Sequence, residues 1–367
     1  MNPVESVIRK VDATQRRFTP TAFVYGVIKK YGDDNGGVLV TNLAYAAFIA
    51  LFPLLLILFT ILGLIASHDP SFRESAAKAK NAVANQIPLL GQTLASNVST
   101  LQLQRSSTIG LIVGLIVLIY GATSLAQAGL FTMEQVWNLP GPARPGYVQR
   151  LGRAMLFLVL LGAGVIVTTG LASLSTYLHG RGFWFKLLLN VVTAAFGAGM
   201  YLGAFRALTP KGVPTRNLLP GAIIGGILWT VLQVLSAWLV HRFLHSNSGY
   251  GVFATVLGLL AWIYLATEIT VYSAEISVVL ARRLWPRSIV QPPLTEADRA
   301  AMALLALQNQ RRPEEHIEVT FDDRPAGAPE PASTPQTPDQ VAPPAPVPEP
   351  RVEPDPRSAG ERAERRG

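Results

Sequence analysis

Two glutamates lie within the last long apolar stretch of the chain. Glu268 and Glu275 are seven residues apart, which is two turns of an α-helix, and Tyr264 and Tyr272 fall on the same side. Ionisable side chains inside a bilayer are costly and normally face protein or water rather than lipid. These four residues, which we call the acidic column, therefore predict either a proton pathway or a site for a cation or the cationic group of a substrate.

The same glutamates also have a structural interpretation. Glu275 lies near the end of the stretch, where it could pair with Arg150, Arg153 or Arg282, and we expect such an ion pair for it. Glu268 lies deeper in the stretch, and a charged residue at that depth is by default a functional candidate. The sequence leaves both interpretations of Glu268 open.

A second polar group occurs on an earlier apolar stretch. Gln127 and Glu134 lie on one side of it, together with Phe131. Polar residues at this spacing often hold membrane helices together through hydrogen bonds. We expect that structural role for both, with participation in a substrate or proton pathway as the alternative.

The sequence indicates no hydrolytic, redox or metal chemistry. The chain contains no cysteine, no Gly-rich phosphate loop and no recognisable Ser-His-Asp arrangement, so we expect neither an enzyme nor a cofactor. His241 and His245 are one helical turn apart, but a metal site needs three or four ligands and no third ligand is evident. We also expect no nucleic-acid partner, because the basic residues lie beside apolar spans rather than in a cytosolic domain.

The elements that must position these residues are long and apolar. Six stretches exceed the roughly 20 residues that cross a hydrocarbon core, namely 38–66, 109–131, 154–178, 185–208, 218–244 and 252–281. Half of all residues (50%) are hydrophobic and only 15% are charged, whereas soluble proteins carry about 25% charged residues. The predicted fold is therefore all-α, with a polytopic membrane domain of six transmembrane helices over residues 38–285.

The basic residues between the stretches predict the orientation. One side carries fifteen Lys and Arg residues and the other carries seven, and the richer side is expected to be cytoplasmic. Six spans then place both termini in the cytoplasm. The cytoplasmic basic clusters predict contact with the anionic headgroups of membrane lipids, and the sequence leaves a homo-oligomer open.

Two segments precede the second span. Residues 1–37 are polar and basic and form an N-terminal cytoplasmic segment. In the outer loop 67–108, apolar residues recur at steps of three and four, as at Val83, Ile87 and Leu90. That period predicts an amphipathic helix, which we expect to lie on the outer membrane surface. The alternative is a flap over the mouth of a cavity.

The C-terminal part is of a different character. Thr295 and Asp298 predict a capping box that starts a short amphipathic helix within residues 286–312. Residues 313–367 are rich in Pro, Ala and acidic residues, and such a segment buries too little apolar surface to fold. We expect a disordered cytoplasmic tail, which either recruits a partner or is dispensable.

Four stretches together resemble a known family. They are residues 42–55, the Ala/Gly-rich segment that ends at Trp137, residues 219–229, and residues 250–275 with Trp262 and Glu275. In this order and spacing they resemble the YihY/BrkB family of inner-membrane proteins, once labelled ribonuclease BN. The resemblance covers about residues 20 to 285 and implies six transmembrane helices in the cytoplasmic membrane of a bacterium.

The resemblance implies little settled chemistry. One branch of the family has been linked to lipid transport, which favours a transporter or flippase of a lipid-like or amphipathic substrate. The alternative function is a non-transporting scaffold that recruits partners through its tail. The ribonuclease label is disfavoured, because no general acid and base are visible.

Overall fold

The described part of the protein is entirely helical. The computed structural model describes residues 3–51, 108–177, 183–210, 212–243 and 251–321, and within these ranges no strand is present. This confirms the all-α fold class. The predicted amphipathic helix of the outer loop lies outside the described residues, as do residues 322–367 of the predicted disordered tail. Residues 313–321 of that tail are described and form neither helix nor strand.

Short helices flank a set of long ones. Their bounds are α1 Pro3–Arg17, α2 Thr19–Asp33, α3 Gly36–Leu51, α4 Thr108–Val136, α5 Tyr147–Tyr177, α6 Phe183–Leu208, α7 Thr215–Phe243, α8 Gly251–Arg282 and α9 Glu296–Gln308. The N-terminal segment, for which the sequence predicted no secondary structure, forms α1 and α2. Helices lie at each of the six predicted spans as far as the described residues reach.

Several of the long helices have the composition of membrane spans. Within the described residues, three stretches are long and apolar enough to cross a bilayer: Val191–Leu208 in α6, Thr215–Ser236 in α7 and Val256–Arg282 in α8. Large apolar side chains such as Val159, Trp184 and Val234 are well exposed on the outside of the helices. Such extensive apolar surface is untypical of a soluble protein. The protein is therefore a membrane protein, while the number of six spans stays a prediction.

Helix α8 is the central element of the bundle. It packs against α7, α2 and α4, and it contributes Val271, Ala274 and Val278 to the main hydrophobic core. The ends of α6 and α8 and the starts of α5 and α7 carry arginines such as Arg150 and Arg206, and α4 ends on the same side, where Arg150 faces its Glu134. We call this end of the bundle the basic end. Most of the side chains considered below lie at this end, whereas Glu268 and Tyr264 lie about four and five turns before the end of α8 at Arg282.

A close glycine contact sets the distance between α7 and α8. A Cβ added at Gly221 would lie 2.0 Å from the backbone oxygen of Ser273, so no larger residue fits there. The amide of Gly221 donates a hydrogen bond to Oγ of Ser277, at 3.1 Å. Close approach through small residues is a common way for membrane helices to associate, and here it fixes α8, which carries the acidic column.

Replacing this glycine should destabilise the bundle. We expect Gly221→Ala to push α7 away from α8 and to cost about 1–3 kcal/mol, as overpacking of a tight core does. The measurement is the unfolding midpoint of the purified protein in detergent. Gly199→Ala is the matched control, because a Cβ at Gly199 meets nothing within 4 Å. Equal midpoints for the two variants would contradict the close contact.

Candidate functional site

The acidic column runs along α8, as the spacing predicted, but its members have different surroundings. Glu275 is completely buried, whereas Glu268 and Tyr272 are half-buried. Tyr264, farthest from the basic end, is 37% exposed. The column therefore changes from sealed protein interior at Glu275 to partly open surface at Tyr264.

Glu275 belongs to a buried charge cluster. Nζ of Lys30 lies 3.4 Å from Oε2 of Glu275, and the same ammonium forms an ion pair with Asp34. All three side chains are at most 1% exposed. Arg282, which interacts electrostatically with Asp34, adds a second positive charge, so two cations face two carboxylates.

The expected partner of Glu275 was wrong in one respect. The ion pair is present, but its cation is Lys30 of α2 rather than Arg150, Arg153 or Arg282. The cause is the position of α2, which packs against α8 and which the sequence did not predict as a helix. The sequence does carry a signal for the pair within α2, because Lys30 and Asp34 have the four-residue spacing of an ion pair on one helix face, but that spacing does not point to Glu275.

The cations of this cluster also bind carbonyl groups at the C-terminal end of α4. Lys30 donates to the carbonyl oxygen of Val136 at 3.1 Å, and Arg282 donates to that of Trp137 at 2.9 Å. Carbonyl groups at a helix C-terminus lack partners within the helix and favour nearby cations. Next in the chain, Asn138 has a positive φ of 45°, a conformation that Asn tolerates better than most residues, and its amide donates to Asp34 at 2.9 Å.

Glu268 is surrounded by tyrosines rather than by cations. Its carboxylate makes no hydrogen bond or ion pair with another residue in the described ranges. Tyr31 of α2 stacks on Tyr272, with ring centroids 4.2 Å apart and planes 6° from parallel. Burial raises the pKa of Tyr31 to about 12, and the negative charge of Glu268 adds to the shift. Tyr31 is therefore a neutral phenol at physiological pH and can act as a hydrogen-bond donor beside Glu268.

Glu134 and Gln127 lie outside the column. Glu134 is completely buried at the end of α4, with Oε2 at 3.7 Å from Nη2 of Arg150, so an arginine rather than a helix-bridging hydrogen bond faces it. Gln127 is half-buried two turns earlier and forms no hydrogen bond with another described residue. The structure thus separates the sequence candidates into the α8 column, an arginine-paired Glu134 and an isolated Gln127.

A second buried carboxylate fixes the C-terminal helix α9. Thr295 and Asp298 form the predicted capping box, and Asp298 also accepts hydrogen bonds from Arg287 at 2.6 Å and from the hydroxyl and amide of Ser288. Lys29 of α2 forms an ion pair with it at 3.1 Å. Burial by itself would raise the pKa of Asp298, but the hydrogen bonds from Ser288 and Arg287 outweigh it and hold the pKa well below its ordinary value.

The described part of the chain offers no obvious metal site. No three His, Asp or Glu side chains come together there in a way that could hold an ion. The chemistry that the arrangement can perform is therefore that of a carboxylate among neutral phenols: it can accept a proton, or bind a cation or a hydrogen-bond donor. Of the described membrane glutamates, Glu268 is the one whose carboxylate is not already paired.

Comparison with known proteins gives a consistent assignment. The family model described as virulence factor BrkB matches residues 27–295. UPF0761 membrane proteins of Pseudomonas paraeruginosa and Azotobacter vinelandii are each 27% identical, over 69% and 71% of this chain. A UPF0761 membrane protein of Alteromonas mediterranea is 24% identical over 70% of this chain and 87% of its own length. The matches span only 61% and 64% of the Pseudomonas and Azotobacter proteins. No solved structure matches the chain.

The buried charge cluster should be essential to stability. Lys30→Met leaves Glu275 and Asp34 without their ammonium, and breaking a buried ion pair from one side costs about 3–5 kcal/mol. We expect the double variant Lys30→Met with Glu275→Gln to be more stable than Lys30→Met alone, measured by unfolding in detergent. Lys10→Met, at an exposed position of α1, is the control and should be neutral. If the changes in unfolding free energy of Lys30→Met and Glu275→Gln simply added up to that of the double variant, the contact between the two side chains would be contradicted.

The Asp298 contacts should hold α9 and the preceding linker in place. Asp298→Asn weakens the bonds to Arg287 and Lys29, so we expect faster hydrogen exchange at the amide of Ser288, measured by mass spectrometry. Because the folded pKa is lowered, this stabilisation is present above the ordinary Asp pKa of about 3.9 and is lost as the pH falls through the folded value. Glu296→Gln, at an exposed position of the same helical turn, should leave exchange unchanged. Equal exchange rates at the Ser288 amide in Asp298→Asn and Glu296→Gln would contradict the proposed role of Asp298 in holding this linker.

Proposed function

The chain belongs to the virulence factor BrkB family of membrane proteins, and from this premise we propose that it moves a lipid-like or amphipathic substrate across the membrane. Glu268 is the residue that meets the substrate. The supporting observation is that Glu268 is an unpaired, half-buried carboxylate on a helix with the composition of a membrane span. A charged group in such a position is costly, and a function that uses the charge explains why it is there.

The comparison with the other described glutamates supports this choice. Glu275 and Glu134 are both completely buried, and each has a cation within 4 Å. A structural role in an ion pair therefore explains the charges of Glu275 and Glu134. Glu268 has neither full burial nor a cation among the described residues, so its carboxylate remains available for an amine, a hydroxyl or a proton carried by a substrate.

The tyrosines around Glu268 suit an amphipathic substrate. Tyr264 and Tyr272 on α8 and Tyr31 on α2 each combine an apolar ring with a polar hydroxyl group. Such side chains favour boundaries between apolar and polar surroundings. A headgroup could be held by Glu268 and the phenol groups while its apolar part stays along the exposed apolar side chains of α8, such as Leu257, Leu260 and Leu265.

The orientation completes the proposal. We place the basic end of the bundle in the cytoplasm of a bacterial cell, with both termini on that side of the inner membrane, because basic residues concentrate on the cytoplasmic side of membrane proteins. The carboxylate of Glu268 then lies inside the bilayer on the cytoplasmic side. No enzymatic step is part of this function.

Transport by purified protein in liposomes tests the proposal. Fluorescent lipids with different headgroups should exchange between leaflets faster than in protein-free vesicles for at least one headgroup class. Glu268→Gln keeps the size of the side chain but removes its charge, and we expect it to slow that exchange about tenfold or more, as the loss of a hydrogen bond to a charged group does. Glu296→Gln, outside the membrane domain, should transport like the unmodified protein.

Two outcomes would argue against this function. Exchange equal to that of empty vesicles for every headgroup class would exclude transport of these lipids. Loss of the cellular phenotype on deletion of residues 313–367, with transport unchanged, would favour the alternative function of a scaffold that acts through its tail. Unfolding midpoints of Glu268→Gln and the unmodified protein should agree, because Glu268 makes no described polar contact that supports the fold.

A further inference from the structure

The described arginines at the basic end of α4, α5 and α6 exceed the available counter-charge. Between residues 108 and 243 the sequence contains a single acidic residue, Glu134. Arg150, Arg144 and Arg153 all interact electrostatically with its carboxylate, in decreasing order, and Arg206 lies close enough to Arg153 for the two guanidinium groups to repel each other. Three arginines therefore share one carboxylate, and Arg206 adds a fourth positive charge beside them.

The geometry leaves two nitrogen donors of these arginines without a hydrogen-bond partner among the described residues. The closest approach to Glu134 is 3.7 Å, from Nη2 of Arg150, which is longer than a hydrogen bond. Nε of Arg150 and Nη1 of Arg153 are shielded from solvent and have no hydrogen-bond partner among the described residues. The side chain of Arg150 nevertheless remains 28% exposed, and Arg206 is exposed. A ligand can therefore reach the cluster through the exposed parts of Arg150 and Arg206 rather than through the two shielded atoms.

The start of α5 adds to the positive potential. The helix begins at Tyr147 and has no acidic side chain in its first turn, although unpaired amide groups and the helix dipole favour an anion there. Arg150 lies within that first turn. The helix N-terminus and the arginine cluster therefore favour the same kind of ligand at the same place.

We propose that these arginines bind the phosphate group of an anionic lipid in the adjacent membrane leaflet. Arginine binds phosphate oxygens through paired, charge-assisted hydrogen bonds, and basic pockets between membrane helices are suited to anionic headgroups. The surrounding exposed side chains Tyr147, Val148 and Leu151 give the acyl chains an apolar surface. A lipid fits this surface better than a soluble anion, which would gain nothing from these side chains. The site is separate from Glu268 and does not depend on transport.

Native mass spectrometry of the delipidated full-length protein tests the site with phosphatidylglycerol and phosphatidylcholine as probes. The unmodified protein should retain phosphatidylglycerol in preference to phosphatidylcholine. Arg150→Gln with Arg153→Gln should weaken phosphatidylglycerol binding about tenfold or more. Arg216→Gln with Lys10→Met removes the same number of charges from exposed positions and should change binding less than twofold. An equal loss in both double variants would overturn the proposal, because it would indicate attraction by net charge alone.

A variant with the opposite expected effect guards against misfolding as an explanation. Glu134→Gln removes the competing carboxylate and should strengthen phosphatidylglycerol binding severalfold, which a damaged protein would not do. Millimolar inorganic phosphate separates the two sources of the phosphate group. If it displaces phosphatidylglycerol from the unmodified protein, the ligand is a soluble anion and the lipid assignment fails. Retention of the lipid supports the assignment.

Discussion

The buried ammonium of Lys30 is the contact on which the arrangement of this protein depends. It lies between Asp34 on its own helix and Glu275 on α8, and it also binds the last carbonyl group of α4. Removing charges from water is costly, and the cost is offset only when opposite charges and hydrogen bonds are in place. Three helices must therefore come together in one geometry before Lys30 can be buried.

The position of Lys30 also determines the positions of its neighbours Tyr31 and Asp34 and of the residues that they contact. Tyr31 follows Lys30 directly, so fixing the ammonium at Glu275 also places the Tyr31 ring on Tyr272, beside Glu268. Asp34 accepts from Asn138, whose amide donates in turn to Gln308 of α9. The N-terminal helices and the C-terminal helix are thus connected to the bundle through one continuous polar network, and the surroundings of Glu268 depend on it.

The sequence predicted local features well and distant pairings poorly. Residues seven apart on an apolar helix share a face whatever surrounds them, so the order of Glu268 and Glu275 on α8 followed from spacing alone. The capping box at Thr295 likewise involves neighbours in the chain. The partner of Glu275 could not be derived, because Lys30 lies at the opposite end of the sequence and the role of α2 depends on tertiary packing. The contact between Glu134 and Arg150 could not be predicted either, because it depends on how α4 and α5 pack against each other.

The basic end of the bundle contains two regions that differ in charge balance. Around α2, α8 and α9, the cations Lys29, Lys30 and Arg287 face Asp34, Glu275 and Asp298 at short range, so the charges of this region are balanced within the protein. Around α4, α5 and α6, Glu134 alone faces several arginines. A fold under selection for stability alone would gain little from such an imbalance, because like charges repel one another. An external anion removes the repulsion, and in a membrane the nearest abundant anions are lipid phosphates.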